Sequence, residues 1–137
     1  MFAAIKNLTV LLFCLMLLSA CKRPEYHTLK GTIQLWDWRV AFLNDKGVDK
    51  TTLFQGYSFR FAWTKEVVAN KVTNFSTGSW NLQGAGENQL VIDFPASPFN
   101  QLNNLWTAIE VSHPEIKFMG PADSTGAASM LILQKAS

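Results

Sequence analysis

The chain has 137 residues, the size of one domain. Hydrophobic residues make up 48% and charged residues 16%, which supplies a core and excludes a disordered chain. Twelve basic against ten acidic side chains leave a net charge of +2, with no concentrated basic stripe, so no nucleic-acid partner is expected.

Residues 1–20 have the layout of a signal peptide. Lys6 provides the positive region, "LTVLLFCLMLLSA" the apolar one, and Ser19 and Ala20 the small residues before a cleavage point. The apolar run is shorter than the roughly 20 residues needed to cross a bilayer core. Cys21, directly after it, has four possible roles: thiol nucleophile, metal ligand, half of a disulfide, or attachment point. Leu18-Ser19-Ala20-Cys21 resembles the lipobox of bacterial lipoproteins. The resemblance implies diacylglycerol transfer to the Cys21 thiol, cleavage after Ala20 and acylation of the new N-terminus. Two or more acyl chains anchor a protein stably to a membrane. The only other cysteine, Cys14, lies in the segment to be removed, so no disulfide is expected. Lys22 is not the aspartate that resembles an inner-membrane retention signal, and "KRPEYH" lacks an acidic cluster resembling a surface-export signal. The expectation is a lipid-anchored protein of the bacterial cell envelope, in the outer membrane and facing the periplasm.

Residues 21–31 then read as the lipidated cysteine and a polar tether, and 32–137 as one β domain. In "QLWDWRVAFL", Trp36, Trp38, Val40 and Phe42 alternate with Asp37 and Arg39, the period of a strand. "NDKGVDKTT" is a turn-rich stretch. "GYSFRFAW" alternates Tyr57, Phe59, Phe61 and Trp63 with Ser58, Arg60, Ala62 and Thr64. Lys65-Glu66 suits a tight turn into "VVANKVTNF", followed by a short strand "STGSWNL", a Gly-rich turn "GAGEN" and the strand "QLVIDF". Ser97 before Pro98 suits a helix cap, and one helical turn would bring Phe99 and Leu102 together. "LWTAIEV", "EIKFM" and "SMLILQK" supply the last strands. The sum is all-β: an antiparallel meander of about eight strands with one short helical turn, the pattern of a barrel or sandwich.

The order of these motifs resembles the lipocalin-like small lipoproteins of Bacteroidetes-type bacteria. The matching residues are Phe54-Gln55-Gly56-Tyr57-Ser58-Phe59-Arg60-Phe61, Gly78-Ser79-Trp80, Leu90-Val91-Ile92-Asp93-Phe94, Pro98-Phe99-Asn100-Gln101-Leu102, Trp106 to Val111, and Leu131-Ile132-Leu133-Gln134-Lys135. The resemblance implies a lipocalin-like barrel and an extracytoplasmic lipoprotein. Two departures stand out. Gln34, not glycine, precedes Trp36 by two positions, and Leu133 stands where an aromatic is usual. They leave a flattened or partly open barrel as an alternative.

Little points to chemistry. His27 and His113 are far apart in sequence and lack metal-ligand spacing, so no metal or cofactor is expected. Asp37, Asp93 and Glu110 fall on the polar phase of strands. A carboxylate hydrolase would need two of them in one cleft. No serine has a nucleophile-elbow context. The protein therefore reads as no enzyme. The aromatic faces remain. Trp36, Trp38, Tyr57, Phe59, Phe61 and Trp63 come from two successive strands and form either plain core or the wall of a pocket for a small hydrophobic ligand. A structural or protein-interaction module with a solid core is the alternative.

Overall fold

The computed structural model describes residues 27–137. The expected signal peptide, Cys21 and most of the tether lie outside them. The first element is helix α1, Leu29–Ile33, capped where Thr28 Oγ1 accepts the Gly31 N–H at 3.0 Å. Leu29 and Ile33, four positions apart on one helix face, are both buried. The packed domain thus begins inside the stretch whose polarity suggested a tether ending at residue 31.

Nine strands follow: β1 Trp38–Asp45, β2 Val48–Asp49, β3 Ser58–Phe61, β4 Glu66–Lys71, β5 Asn74–Gln83, β6 Gln89–Asp93, β7 Asn104–Val111, β8 Glu115–Met119 and β9 Met130–Lys135. They pair antiparallel in the order β2-β1-β3-β4-β5-β6-β7-β8-β9, and β9 returns to β1. Eight strands make a closed barrel, and β2 is an extra strand in a hairpin with β1. Short 3-10 turns occupy Thr51–Phe54, Ala85–Glu87 and Phe99–Leu102.

Two strand boundaries differ from those expected. "VVANKVTNF" is not one strand: the chain reverses at Val72–Thr73, and β5 runs on through "STGSWNL". β1 does not keep one alternation, because its register against β9 shifts between Val40 and Phe42. The extra residue reverses the phase, so Leu43 enters the core in place of Phe42.

The antiparallel order sorts the loops. One end of the barrel, here the near end, collects α1, the β3–β4 turn at 62–65, the β5–β6 turn and the β7–β8 turn. The other loops lie at the far end. Both ends are plugged. At the near end Trp38 Nε1 donates to Ile33 O at 2.8 Å, fastening α1 over the core. At the far end Phe99 and Leu102 are buried, and Trp106 Nε1 donates to Leu102 O at 2.8 Å. Against the far plug, Phe54, Phe59 and Phe94 pack with its Phe99, with ring centroids 5.5–6.4 Å apart. An eight-stranded barrel is just wide enough for its interior side chains, and these fill it.

The far end is tied by one polar cluster. Lys50 Nζ donates to Asp45 Oδ2 and to Gln101 Oε1, both at 2.7 Å, and Ser129 Oγ donates to Asp45 Oδ1 at 3.1 Å. Asp45 therefore links β1, the Phe99–Leu102 turn and the β8–β9 loop. The Lys50 hydrogen bond holds its carboxyl below the usual value of 3.8 against opposing desolvation, with Ser129 adding to the shift. A depressed folded-state value stabilises above the unfolded-state value and is lost as pH falls through the folded one. Asp45→Asn should cost about 1 kcal/mol at neutral pH. The gap to wild type in urea midpoint should narrow as pH falls below the usual carboxylate range.

Candidate ligand-binding surface

The six aromatic residues of the expected pocket wall do not share one wall. Trp38, Phe59 and Phe61 are core residues. Tyr57 is half-buried beside them. Trp36 and Trp63 lie outside the barrel at the near end, 36% and 81% exposed. The physical reason is strand length. β1 starts at Trp38 and β3 stops at Phe61, so Trp36 and Trp63 continue the alternation in sequence but sit on chain that has already left the sheet. The filled lumen leaves open clefts on the outside as the places where a molecule could sit.

The clearest cleft follows from the weakest join in the barrel. β1 meets β9 through registered pairs from Trp38 to Asn44, yet it meets β3 only at Trp38↔Phe59. Beyond that pair the two strands part, and the Thr51–Phe54 turn fills the gap. Thr51 Oγ1 accepts the Leu43 N–H at 2.9 Å, and Lys50 N donates to Leu43 O at 2.8 Å. Above this seam lies an open cleft of about 510 Å³. Val40, Ala41, Phe54 and Tyr57 give it an apolar floor, and Arg39, Thr51, Thr52 and Gln55 supply polar atoms at its rim. Its volume is within the range of small-molecule sites.

Gly56 shapes the cleft. Its φ of +84° belongs to the left-handed region, and it turns the chain from the 3-10 turn into β3. A Cβ there would lie 3.0 Å from Lys71 Cε, so the absent side chain also admits the Lys71 stem. Lys71 Nζ then sits 5.5 Å from the Tyr57 ring centroid. Arg39, at the other end of the cleft, donates from Nη2 to Gln134 Oε1 and has no carboxylate partner among the described residues.

A second cleft, of about 530 Å³, lies at the near end between Trp36 and Trp63. Its floor is the ion pair of Arg60 with Asp37, Nε to Oδ1 at 2.7 Å and Nη2 to Oδ2 at 3.1 Å. That two-pronged contact holds the Arg60 guanidinium even more firmly protonated than usual. Lys135 Nζ lies 3.7 Å from the Trp36 ring centroid.

The carboxylates stay apart. Asp93 and Glu110 are exposed, at the far end of β6 and towards the near end of β7. Asp93 accepts from Asn103 Nδ2 at 3.3 Å, and Glu110 pairs with Lys117 at 3.2 Å. The two histidines do meet, which the sequence did not foretell: the rings of His27 and His113 are 3.8 Å apart between centroids. Closure of the barrel brings the β7–β8 turn under the start of the domain, a juxtaposition that 85 intervening residues hide. No group of three or more metal-ligating side chains occurs among the described residues. The seam cleft was equally hidden. Ala41 sits in a bulge that period-two reading cannot see, and Thr51 and Thr52 lie in a stretch that reads only as a turn.

No protein-family model matches the sequence, and neither does any curated protein. Among solved structures, the fold is similar to a DUF4847 family protein from Bacteroides vulgatus. The TM-score is 0.52 and the identity 13%, over 77% of this chain and 96% of that one. At that identity the likeness is one of fold: the two proteins share a small β barrel.

Proposed function

We propose that this protein is a lipid-anchored, non-enzymatic binding module of the bacterial cell envelope, facing the periplasm from the outer membrane. Its small hydrophobic ligand lies in the seam cleft and not in the lumen. The observation that carries the reading is the 510 Å³ cleft, apolar at Val40, Ala41, Phe54 and Tyr57 and ringed by a few polar groups, at the one join of the barrel made by a single residue pair. Arg39 at its rim suits a ligand with a polar or anionic head. The wide separation of Asp93 and Glu110 supports the non-enzymatic part, because paired carboxylate chemistry needs both at one bond.

Anilinonaphthalene sulfonate, an apolar ring system with one anionic group, is a fitting probe. It should bind the native protein with enhanced emission, and Ala41→Trp, which fills the cleft, should reduce its affinity about tenfold, the loss of roughly 1.4 kcal/mol. Absence of binding to the folded protein, or equal binding to the filled variant, would sink the cleft as the site. The filled lumen favours a second reading, an interaction module that docks on an envelope protein. It would gain if membrane pull-downs recovered the same protein partner from wild type and Ala41→Trp.

The anchor has a separate check. Cys21→Ala should abolish acylation, and globomycin should leave wild type as an unprocessed precursor. Normal processing of the variant would refute attachment at Cys21.

A further inference from the structure

We infer that the near end of the barrel, through Leu35, Trp36 and Trp63, lies against the surface of the same phospholipid membrane that holds the anchor; this rests on the lipid-anchor reading of Cys21. Of the five tryptophans, Trp38, Trp80 and Trp106 are at most 2% exposed, whereas Trp36 and Trp63 are 36% and 81% exposed. Those two flank one cleft at one end of the barrel. Leu35, 50% exposed, lines the same cleft. Indole rings with an apolar face and a polar N–H favour the headgroup level of a bilayer.

The chain itself says which surface covers this end. His27, the first described residue, packs on His113 of the β7–β8 turn, so the tether reaches the barrel at the near end. Only six peptide steps separate His27 from Cys21. Six residues span at most about 20 Å when fully extended. An anchored Cys21 therefore keeps the near end within a short distance of the lipid.

The neighbouring charges fit the same placement. Lys65 and Lys135 have no carboxylate partner among the described residues, and their ammonium groups lie over Trp80 and Trp36 at 4.3 and 3.7 Å from the ring centroids. Long cationic side chains of this kind reach lipid phosphates while their stems stay on apolar surface. Arg60 and Lys30 pair with Asp37 and Glu87 at this end, at 2.7 and 3.3 Å, and Glu66 adds a further carboxylate, so the contact depends on the indoles more than on net charge.

The test uses the full acylated chain in phosphatidylcholine vesicles whose acyl chains are brominated or plain, with acylation of Cys21 checked by mass spectrometry. Bromine quenches indoles at or below the headgroups. Wild type should lose about half of the emission contributed by Trp36 and Trp63, a share defined by the Trp36→Phe/Trp63→Phe variant. Leu35→Asp/Trp63→Asp should stay on the vesicles through its anchor, with its Trp36 emission unquenched. Val72→Ser/Phe75→Ser, at the exposed far-end turn, should quench like wild type. Equal emission of acylated wild type in brominated and plain vesicles would overturn the inference and leave the anchor reading intact. An unacylated Cys21 would overturn both. Shielding of Trp63 from aqueous iodide by a soluble saccharide, with no bromine quenching, would assign the cleft to a soluble ligand and overturn the membrane contact.

Discussion

Trp38→Ala should lower the unfolding free energy by about 3–5 kcal/mol, the range for deleting a large buried aromatic. Trp38 is fully buried and sits where three parts of the protein meet. It is the one β1 residue registered against β3, it faces Lys135 of β9, and its Nε1 holds the Ile33 carbonyl. The truncation therefore leaves a cavity, an unmatched carbonyl and a looser α1 plug at once. Trp38→Phe separates these effects. It keeps most of the volume and loses the hydrogen bond, so it should cost about 1–2 kcal/mol. Urea unfolding followed by far-UV circular dichroism measures both. A cost for Trp38→Ala under about 1 kcal/mol would show that α1 and the seam do not depend on this side chain.

Gly78→Ala should cost about 3 kcal/mol, the upper part of the usual range for overpacking. An added Cβ would lie 2.5 Å from the Asp93 carbonyl oxygen, 2.8 Å from Phe94 Cδ1 and 2.9 Å from Phe94 Cγ. Phe94 is buried in the aromatic cluster, and its ring crosses β5 at the place where Gly78 has no side chain. Shrinking the ring with Phe94→Leu should recover little in the double variant, because the closest clash is with backbone. Full recovery would show that the ring alone demands the glycine. Thermal and urea melts of the four proteins decide the matter.

That glycine shows how much of the fold can be read in the sequence. Gly78-Ser79-Trp80 is visible as a motif, and the strand around it is visible as alternation. The sequence does not show which ring crosses the glycine, because Phe94 follows the end of the next strand. Likewise the aromatic alternation of β3 announces itself, since Phe59 and Phe61 face one densely packed interior. The bulge in β1 does not, because Val40, Ala41, Phe42 and Leu43 are all apolar and either phase looks satisfactory. The hairpin at Val72–Thr73 is hidden for another reason. Val72 turns with φ of +54°, a conformation that β-branched residues rarely take, and no glycine or asparagine sits at that position to signal it.

The candidate surfaces were less legible than the barrel. A cleft made by two strands parting depends on where pairing stops, and pairing length is a tertiary quantity. The exposed tryptophans illustrate this from the other side. Trp36 and Trp63 have the same spacing from Trp38 and Phe61 as core residues would, and only the end of the sheet puts them outside.

The closure of the barrel has a consequence for how such a chain could be delivered. β1 makes its long pairing with β9, about ninety residues away in sequence, and touches β3 at one pair only. Until Met130–Lys135 is free to pair, Trp38–Asp45 has no extended partner beyond the two-residue hairpin with β2. Native closure is therefore deferred to the last strand, the kind of long-range contact that slows folding. On the proposed envelope reading, in which the N-terminus leads through a translocation channel, that delay leaves Trp38–Asp45 without its extended partner until the trailing end has also passed.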